Sequence, residues 1–114
     1  MGIVKVEIIT RVEKATELRQ ALNDINVCGM TITNVMGQGK QKGKTEIYRG
    51  NEIAFDMLPK IKVELLIDEN ILDGVLKVAK STLNTNNVGD GKIAIYHIDN
   101  VIRIRTGEEG VKAL

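Results

Sequence analysis

Lys60-Ile61-Lys62-Val63-Glu64-Leu65-Leu66-Ile67-Asp68-Glu69 is where the hydrophobic period of this chain changes. Ile61, Val63, Leu65 and Ile67 alternate with their neighbours as in a half-buried strand, and Pro59 suits its start. Asp68 or Glu69 can then begin a helix, because a short acidic side chain accepts from the first free N–H groups. Beyond them Ile71, Leu72, Val75, Leu76, Val78, Ala79 and Leu83 recur at helical spacing.

The same switch occurs at the N-terminus. Val4, Val6 and Ile8 alternate with Lys5, Glu7 and Ile9. From Glu13 to Ile25, Ala15, Leu18, Ala21, Leu22 and Ile25 then make one apolar stripe on a helix that ends before Gly29. Thr31 to Val35 is β-branched and returns to strand, Ile93 to Ile98 is a further strand, and Val101 to Arg105 reads as a short last one. The order is strand, helix, strand, strand, helix, strand with a small addition, which predicts an α+β, ferredoxin-like βαββαβ sandwich over 1–114 as a single domain. Two helices cover one face of such a sheet. The other face stays wet or meets another subunit, and apolar groups expected on both faces, Leu65 with Leu66 or Ala94 with Tyr96, make self-association the expected outcome.

Composition narrows the function classes. The chain has 114 residues, with 16 Lys and Arg against 15 Asp and Glu. That balance gives no general field toward nucleic acid or an anionic membrane, so any anion site must be local. No apolar run approaches the ~20 residues of a bilayer span, the N-terminus has no secretory pattern, and a single cysteine, Cys28, fits a reducing cytoplasm. Cys28 is expected to be a small buried hydrophobe and the lone His97 a packed strand residue. No second His or Cys completes a metal site. Tyr48, Phe55 and Tyr96 are too few for an aromatic RNA-binding sheet, so nucleic acid is not expected as a partner.

Two segments carry chemistry. Val88-Gly89-Asp90-Gly91-Lys92 pairs two glycines, whose N–H groups can converge on an anion, with a lysine. Arg103 and Arg105, two apart, share a face if their segment is extended. Together they suit a polyphosphate such as ATP; a tight turn followed by a solvated strand edge is the alternative. The second segment is a connection of roughly twenty residues, 37–57, far longer than the usual four to six. It holds Gly37, Gly39, Gly43 and Gly50 with Lys40, Lys42, Lys44 and Arg49. Its Gly43-Lys44-Thr45 is not a P-loop: that motif needs Gly where Gln38 stands, and no helical pattern follows.

Gly29-Met30-Thr31, Gly37-Gln38-Gly39-Lys40-Gln41-Lys42-Gly43, Tyr48-Arg49-Gly50, Leu58-Pro59-Lys60, Gly89-Asp90-Gly91-Lys92 and Arg103-Ile104-Arg105-Thr106-Gly107-Glu108 closely resemble the PII nitrogen-regulatory signal proteins, collinearly over almost the whole chain. The resemblance implies a cytoplasmic homotrimer with ATP or ADP in the clefts between neighbours. Gly89, Gly91, Lys92, Arg103 and Arg105 would hold the phosphates with Gly37, Gly39 and Lys40, and Thr31, Glu64 and Leu66 would sit near the adenosine. It also implies 2-oxoglutarate beside MgATP, with Gly39, Gln41, Lys42, Gly43 and Lys60 around it and Gln41 giving an oxygen to Mg²⁺. The 37–57 segment corresponds to the family's T-loop, through which Tyr48 and Arg49 would contact a partner such as an ammonium transporter or a nitrogen-metabolism protein. Membrane contact would then be peripheral, through a channel partner.

The departures are specific. Ile53 stands where many relatives carry a uridylylated tyrosine, and it has no phenol oxygen to modify. Asn51 stands where some carry a phosphorylated serine. Asn86 replaces a glycine after Thr85, and Val12 a proline after Arg11. The reading that results is a non-enzymatic sensor of ATP/ADP and 2-oxoglutarate; a slow ATPase in the same cleft is the alternative, with no clear general base to support it.

Overall fold

The structure, a computed structural model, describes residues 2–40, 46–48, 51–53 and 55–114. Strand β1 (Ile3–Arg11) leads through a 3-10 turn at Val12–Lys14 into helix α1 (Ala15–Asp24). Strand β2 (Thr31–Lys40) is followed by two short strands, β3 (Glu46–Tyr48) and β4 (Asn51–Ile53), and by the long β5 (Phe55–Asp68). A 3-10 turn at Glu69–Ile71 opens helix α2 (Leu72–Leu83), and β6 (Lys92–Ile98) completes the sheet. Asp68 caps that turn, its Oδ1 accepting from the Asn70 N–H at 2.9 Å, as the acidic start of the helical pattern requires.

The main sheet has four strands in the order β2-β5-β1-β6, and β1 pairs antiparallel with both neighbours. This is the expected ferredoxin-like arrangement. Val4, Val6 and Ile8 lie opposite Ile67, Leu65 and Val63, and all these positions are buried with Leu18 and Leu22 of α1 and Val75, Ala79 and Leu83 of α2. Each such aliphatic side chain contributes about 1.5–3 kcal/mol of transfer free energy, so two strand alternations and two helical stripes account for most of the core.

Because side chains alternate, the other set of the same strands faces away from the helices. It comprises Lys5, Glu7, Ile9 and Arg11 on β1, Lys60, Lys62, Glu64 and Leu66 on β5, Thr31, Thr33 and Val35 on β2, and Lys92, Ala94 and Tyr96 on β6. Leu66 and Tyr96 are exposed there. The open face is apolar in places and strongly charged in others.

Four expectations need correction. The 37–57 connection is not an unpaired loop at its base: β2 and β5 continue as partners from Gly37 opposite Leu58 to Lys40 opposite Phe55, and β3 pairs with β4. Strand hydrogen bonding there needs no apolar alternation, so the pattern was silent. Val101–Arg105 forms no strand; only an isolated bridge joins Ile102 to Glu109, and 104–106 is a turn closed by Gly107 N–H donating to the Arg103 carbonyl at 2.8 Å. Arg103 and Arg105 therefore do not share a strand face. Cys28 is exposed, since it follows the last turn of α1 rather than entering the core. His97 is exposed as well, because β6 is an edge strand that the helices leave largely uncovered.

Candidate functional site

The Gly89–Lys92 bend is held by the ends of two central strands. Gly89 and Gly91 both have positive φ, 100° and 112°, which L side chains rarely adopt. At Gly91 a Cβ would collide with the carbonyl of Ile9. At Gly89 it would come 3.1 Å from the Arg11 guanidinium and 3.5 Å from the Lys60 ammonium. Glycine is required at 91 by close backbone approach and favoured at 89 by its positive φ, with the Arg11 and Lys60 cations packed close by.

Arg11 and Lys60 are cross-strand partners on the open face. Arg11 Nη2 donates to the Val88 carbonyl at 2.8 Å, and its Nε lies 3.4 Å from Asp90 Oδ1. Lys60 Nζ donates to the Gly89 carbonyl at 2.7 Å. Burial first, and then repulsion by Arg11, lower the Lys60 pKa from its ordinary value, while Glu13 and Asp90 oppose that shift.

Asp90 does not point at a ligand; it organises the turn. Its carboxylate accepts from the Thr85 N–H at 2.6 Å, from the Thr85 hydroxyl, and from Arg11. The Thr85 hydroxyl and N–H bonds, ahead of Arg11, pull its pKa down to about 2. The buried Thr10 hydroxyl donates to the Asp90 carbonyl at 2.7 Å, which satisfies the only buried polar side chain among the described residues. Asn86 takes a positive φ of 62°, a conformation asparagine tolerates better than most residues. Arg11, Lys60 and Lys92 thus share one end of the open face, where the Asp90 carboxylate is already paired and Glu13 also acts on Lys60. That cluster can accept a multiply charged anion.

A second group lies farther along the same face. Thr31 is directly opposite Glu64 in the β2–β5 register. Thr31, Glu64 and Leu66 line one pocket of about 400 Å³ with Lys5, Gly29, Met30, Val101, Ala113 and Leu114. A pocket of about 390 Å³ elsewhere is lined by Asp90, Gly91 and Lys92 with Ile8, Ile9 and Leu83 among others. Arg103 Nη2 donates to the main-chain oxygen of Leu114 at 2.7 Å, on the Thr31/Glu64 side. Among the described residues, neither Arg103 nor Arg105 bonds the Gly89–Lys92 turn. The two motifs that seemed one anion cradle in the sequence are separate in a single chain.

The expected site residues therefore fall into groups. Gly89, Gly91, Lys92 and Lys60 gather at one place, and Thr31, Glu64 and Leu66 at another. Gly37, Gly39 and Lys40 lie on β2, opposite Leu58, Asp56 and Phe55. Tyr48 pairs with Asn51 and Ile53 with Glu46 in the short ribbon. Gln41, Lys42, Gly43 and Arg49 lie outside the described residues. Sequence reasoning missed Arg11, Thr10 and Thr85 as parts of the site. A lone Thr-Arg at a strand end carries no signal until the turn some eighty residues later is seen against it.

A family model described as nitrogen regulatory protein P-II matches residues 3–108. The chain belongs to the P-II family. The nitrogen regulatory protein P-II of Haemophilus influenzae is 44% identical over 110 residues, covering 96% of this chain and 98% of that one. The P-II 1 protein of Escherichia coli K12 is 43% identical over the same length, with the same shares of 96% and 98%. In structure, the chain is similar to B. subtilis GlnK, with a TM-score of 0.84, 44% identity and 100% of both chains covered. It is also similar to a GlnK–ATP complex from the same organism, with a TM-score of 0.82, 40% identity and coverage of 99% and 98%. The P-II relatives are named as regulatory proteins, and the fold of this chain is similar to that of the GlnK structures. Among its described residues no helix is long and apolar enough to cross a membrane.

Proposed function

We propose that this P-II protein is a single-domain cytoplasmic sensor that works as a homotrimer and reads ATP, ADP and 2-oxoglutarate through a regulatory segment at 37–57. The observation that carries the proposal is the clamped Gly89–Lys92 turn with Arg11, Lys60 and Lys92 around it, in a chain so similar to one solved with ATP. Two positive-φ glycines and three cations, with the Asp90 carboxylate turned onto Thr85 and Arg11, fit a polyphosphate.

In this reading Gly37, Gly39, Lys40, Gly89, Gly91 and Lys92 of one copy hold the phosphates. A neighbouring copy brings Arg103 and Arg105 together with Thr31, Glu64 and Leu66, which take the adenosine. The separation of these groups within one chain supports a shared site, as does the exposure of Ile102 and Ile104 beside the arginines, Ile104 at 99%. Lys60, Gly39, Gln41, Lys42 and Gly43 bind 2-oxoglutarate, and Gln41 offers an oxygen to Mg²⁺, a cation that prefers oxygen ligands. The 2-oxoacid adds negative charge where Lys60 and Arg11 supply positive. Tyr48 and Arg49 contact the partner, an ammonium transporter or a nitrogen-assimilation protein. With Ile53 in place of a modifiable tyrosine, control is by metabolites directly.

Isothermal titration with MgATP, in the presence and absence of 2-oxoglutarate, tests this. Each ligand should tighten the other by the same factor. Independent binding, or no binding of MgATP, overturns the proposal.

A further inference from the structure

We infer that Lys5 is a positioning residue of the adenosine side: it fixes the Glu64 carboxylate on the pocket wall, and through it sets the preference for adenine over guanine nucleotides. The inference rests on the reading above that Thr31, Glu64 and Leu66 take the adenosine, and adds that the Glu64 carboxylate meets its base.

The register of β1 and β5 places Glu7 directly opposite Glu64. Like charges at that separation repel, and the sheet offers no backbone donor to relieve them. Lys5 supplies the relief. Its Nζ lies 3.3 Å from Glu64 Oε2, with both side chains about a quarter exposed, at 27% and 28%. Lys5 is itself held, its ammonium 4.5 Å from the centre of the Tyr96 ring. Tyr96 OH in turn donates to Glu7 Oε2 at 3.2 Å. Each carboxylate thus has its own partner, and the four side chains form one connected network on the open face.

Lys5 and Glu64 both line the pocket that contains Thr31 and Leu66. An ionised carboxylate only accepts hydrogen bonds. Adenine presents an amino donor at C6, whereas guanine presents a carbonyl acceptor there, which a fixed carboxylate repels. Discrimination of this kind depends on the acceptor staying in place, because a group free to swing away rejects nothing. Without the Lys5 ammonium, the Glu7 and Glu64 carboxylates face each other unrelieved and separate, and the acceptor leaves its position.

The test is competition of ATP and GTP against a fluorescent ATP analogue on the full chain, for wild type, Lys5→Met, Lys5→Arg, Glu64→Ala and the Lys5→Met/Glu64→Ala double variant. Lys5→Met should lower the ATP-over-GTP affinity ratio by about 10-fold, the worth of one charge-assisted hydrogen bond, and Lys5→Arg should retain most of it. In the Glu64→Ala background, Lys5→Met should change the ratio little, because it acts through Glu64. An unchanged ratio in Lys5→Met, equal losses for both nucleotides, or an undiminished effect without Glu64 overturns the inference while leaving the functional reading intact. Should Lys5→Met not fold, Tyr96→Leu loosens the same lysine, and an unchanged ratio there is equally fatal. A wild type that binds neither nucleotide overturns the functional reading, and this inference with it.

Discussion

The Lys60 ammonium donates to the carbonyl oxygen of Gly89 at 2.7 Å, tying β5 to the turn that precedes β6. Arg11 on the adjacent strand holds the same turn through Val88 and Asp90. The turn is thus pre-organised by cations that a bound anion would also use, so its occupants and its stability are linked. Replacing Lys60 by Met should cost about 1 kcal/mol, the net worth of one hydrogen bond, read as a fall in thermal midpoint without ligand. The same variant should lose the tightening of MgATP by 2-oxoglutarate, read by calorimetry.

Gly91→Ala should be more damaging than its size implies. Its φ of 112° disfavours any side chain, and the new methyl would collide with the Ile9 carbonyl. Backbone strain of this type costs about 1–3 kcal/mol, so a lowered midpoint in denaturant with an unchanged slope is expected. Gly107→Ala is the control: its φ is also positive, at 75°, but nothing lies near the added carbon. It should cost less.

Asp90 makes an acid-dependent contribution. Its folded pKa, about 2, lies below the ordinary value of 3.8, because Thr85 and then Arg11 stabilise the carboxylate. A depressed carboxylate pKa means that the unfolded chain binds the proton first, so the stabilisation is present above pH ~4 and is lost as pH falls toward 2. Asp90→Asn should flatten this part of the stability profile between pH ~4 and ~2, measured by denaturant titration at each pH. An unaltered profile would place the acid sensitivity elsewhere.

Cys28 is exposed and adjoins Gly29 and Met30, which line the Thr31/Glu64 pocket. A thiol reagent should therefore modify one equivalent of Cys28 in the native protein without denaturant. MgATP should slow that reaction if the adenosine occupies the neighbouring pocket, as measured by absorbance of the released chromophore.

Much of the fold was legible because each core element writes its own period. Val4, Val6 and Ile8, then Ile61, Val63 and Leu65, alternate for a sheet with one covered face, and Leu18, Leu22, Val75 and Ala79 repeat for the helices that cover it. The stems of the 37–57 segment were not legible, since paired strands outside the core leave no apolar signature. Val101–Arg105 misled for the opposite reason: Ile102 and Ile104 alternating with Arg103 and Arg105 look like a strand, but among the described residues only the single bridge from Ile102 to Glu109 pairs them.

The sequence by itself determined the order of the four core strands and two helices, the glycines of the Gly89–Lys92 bend and the absence of a modifiable oxygen at Ile53. These are properties of local periodicity and of single side chains. Only the tertiary structure decided that Arg11 and Lys60 clamp that bend, that Asp90 serves the turn through Thr10 and Thr85, and that the Arg103 segment stands apart from it. Those relations join residues tens of positions apart, and they exist only once antiparallel pairing has brought the strand ends together.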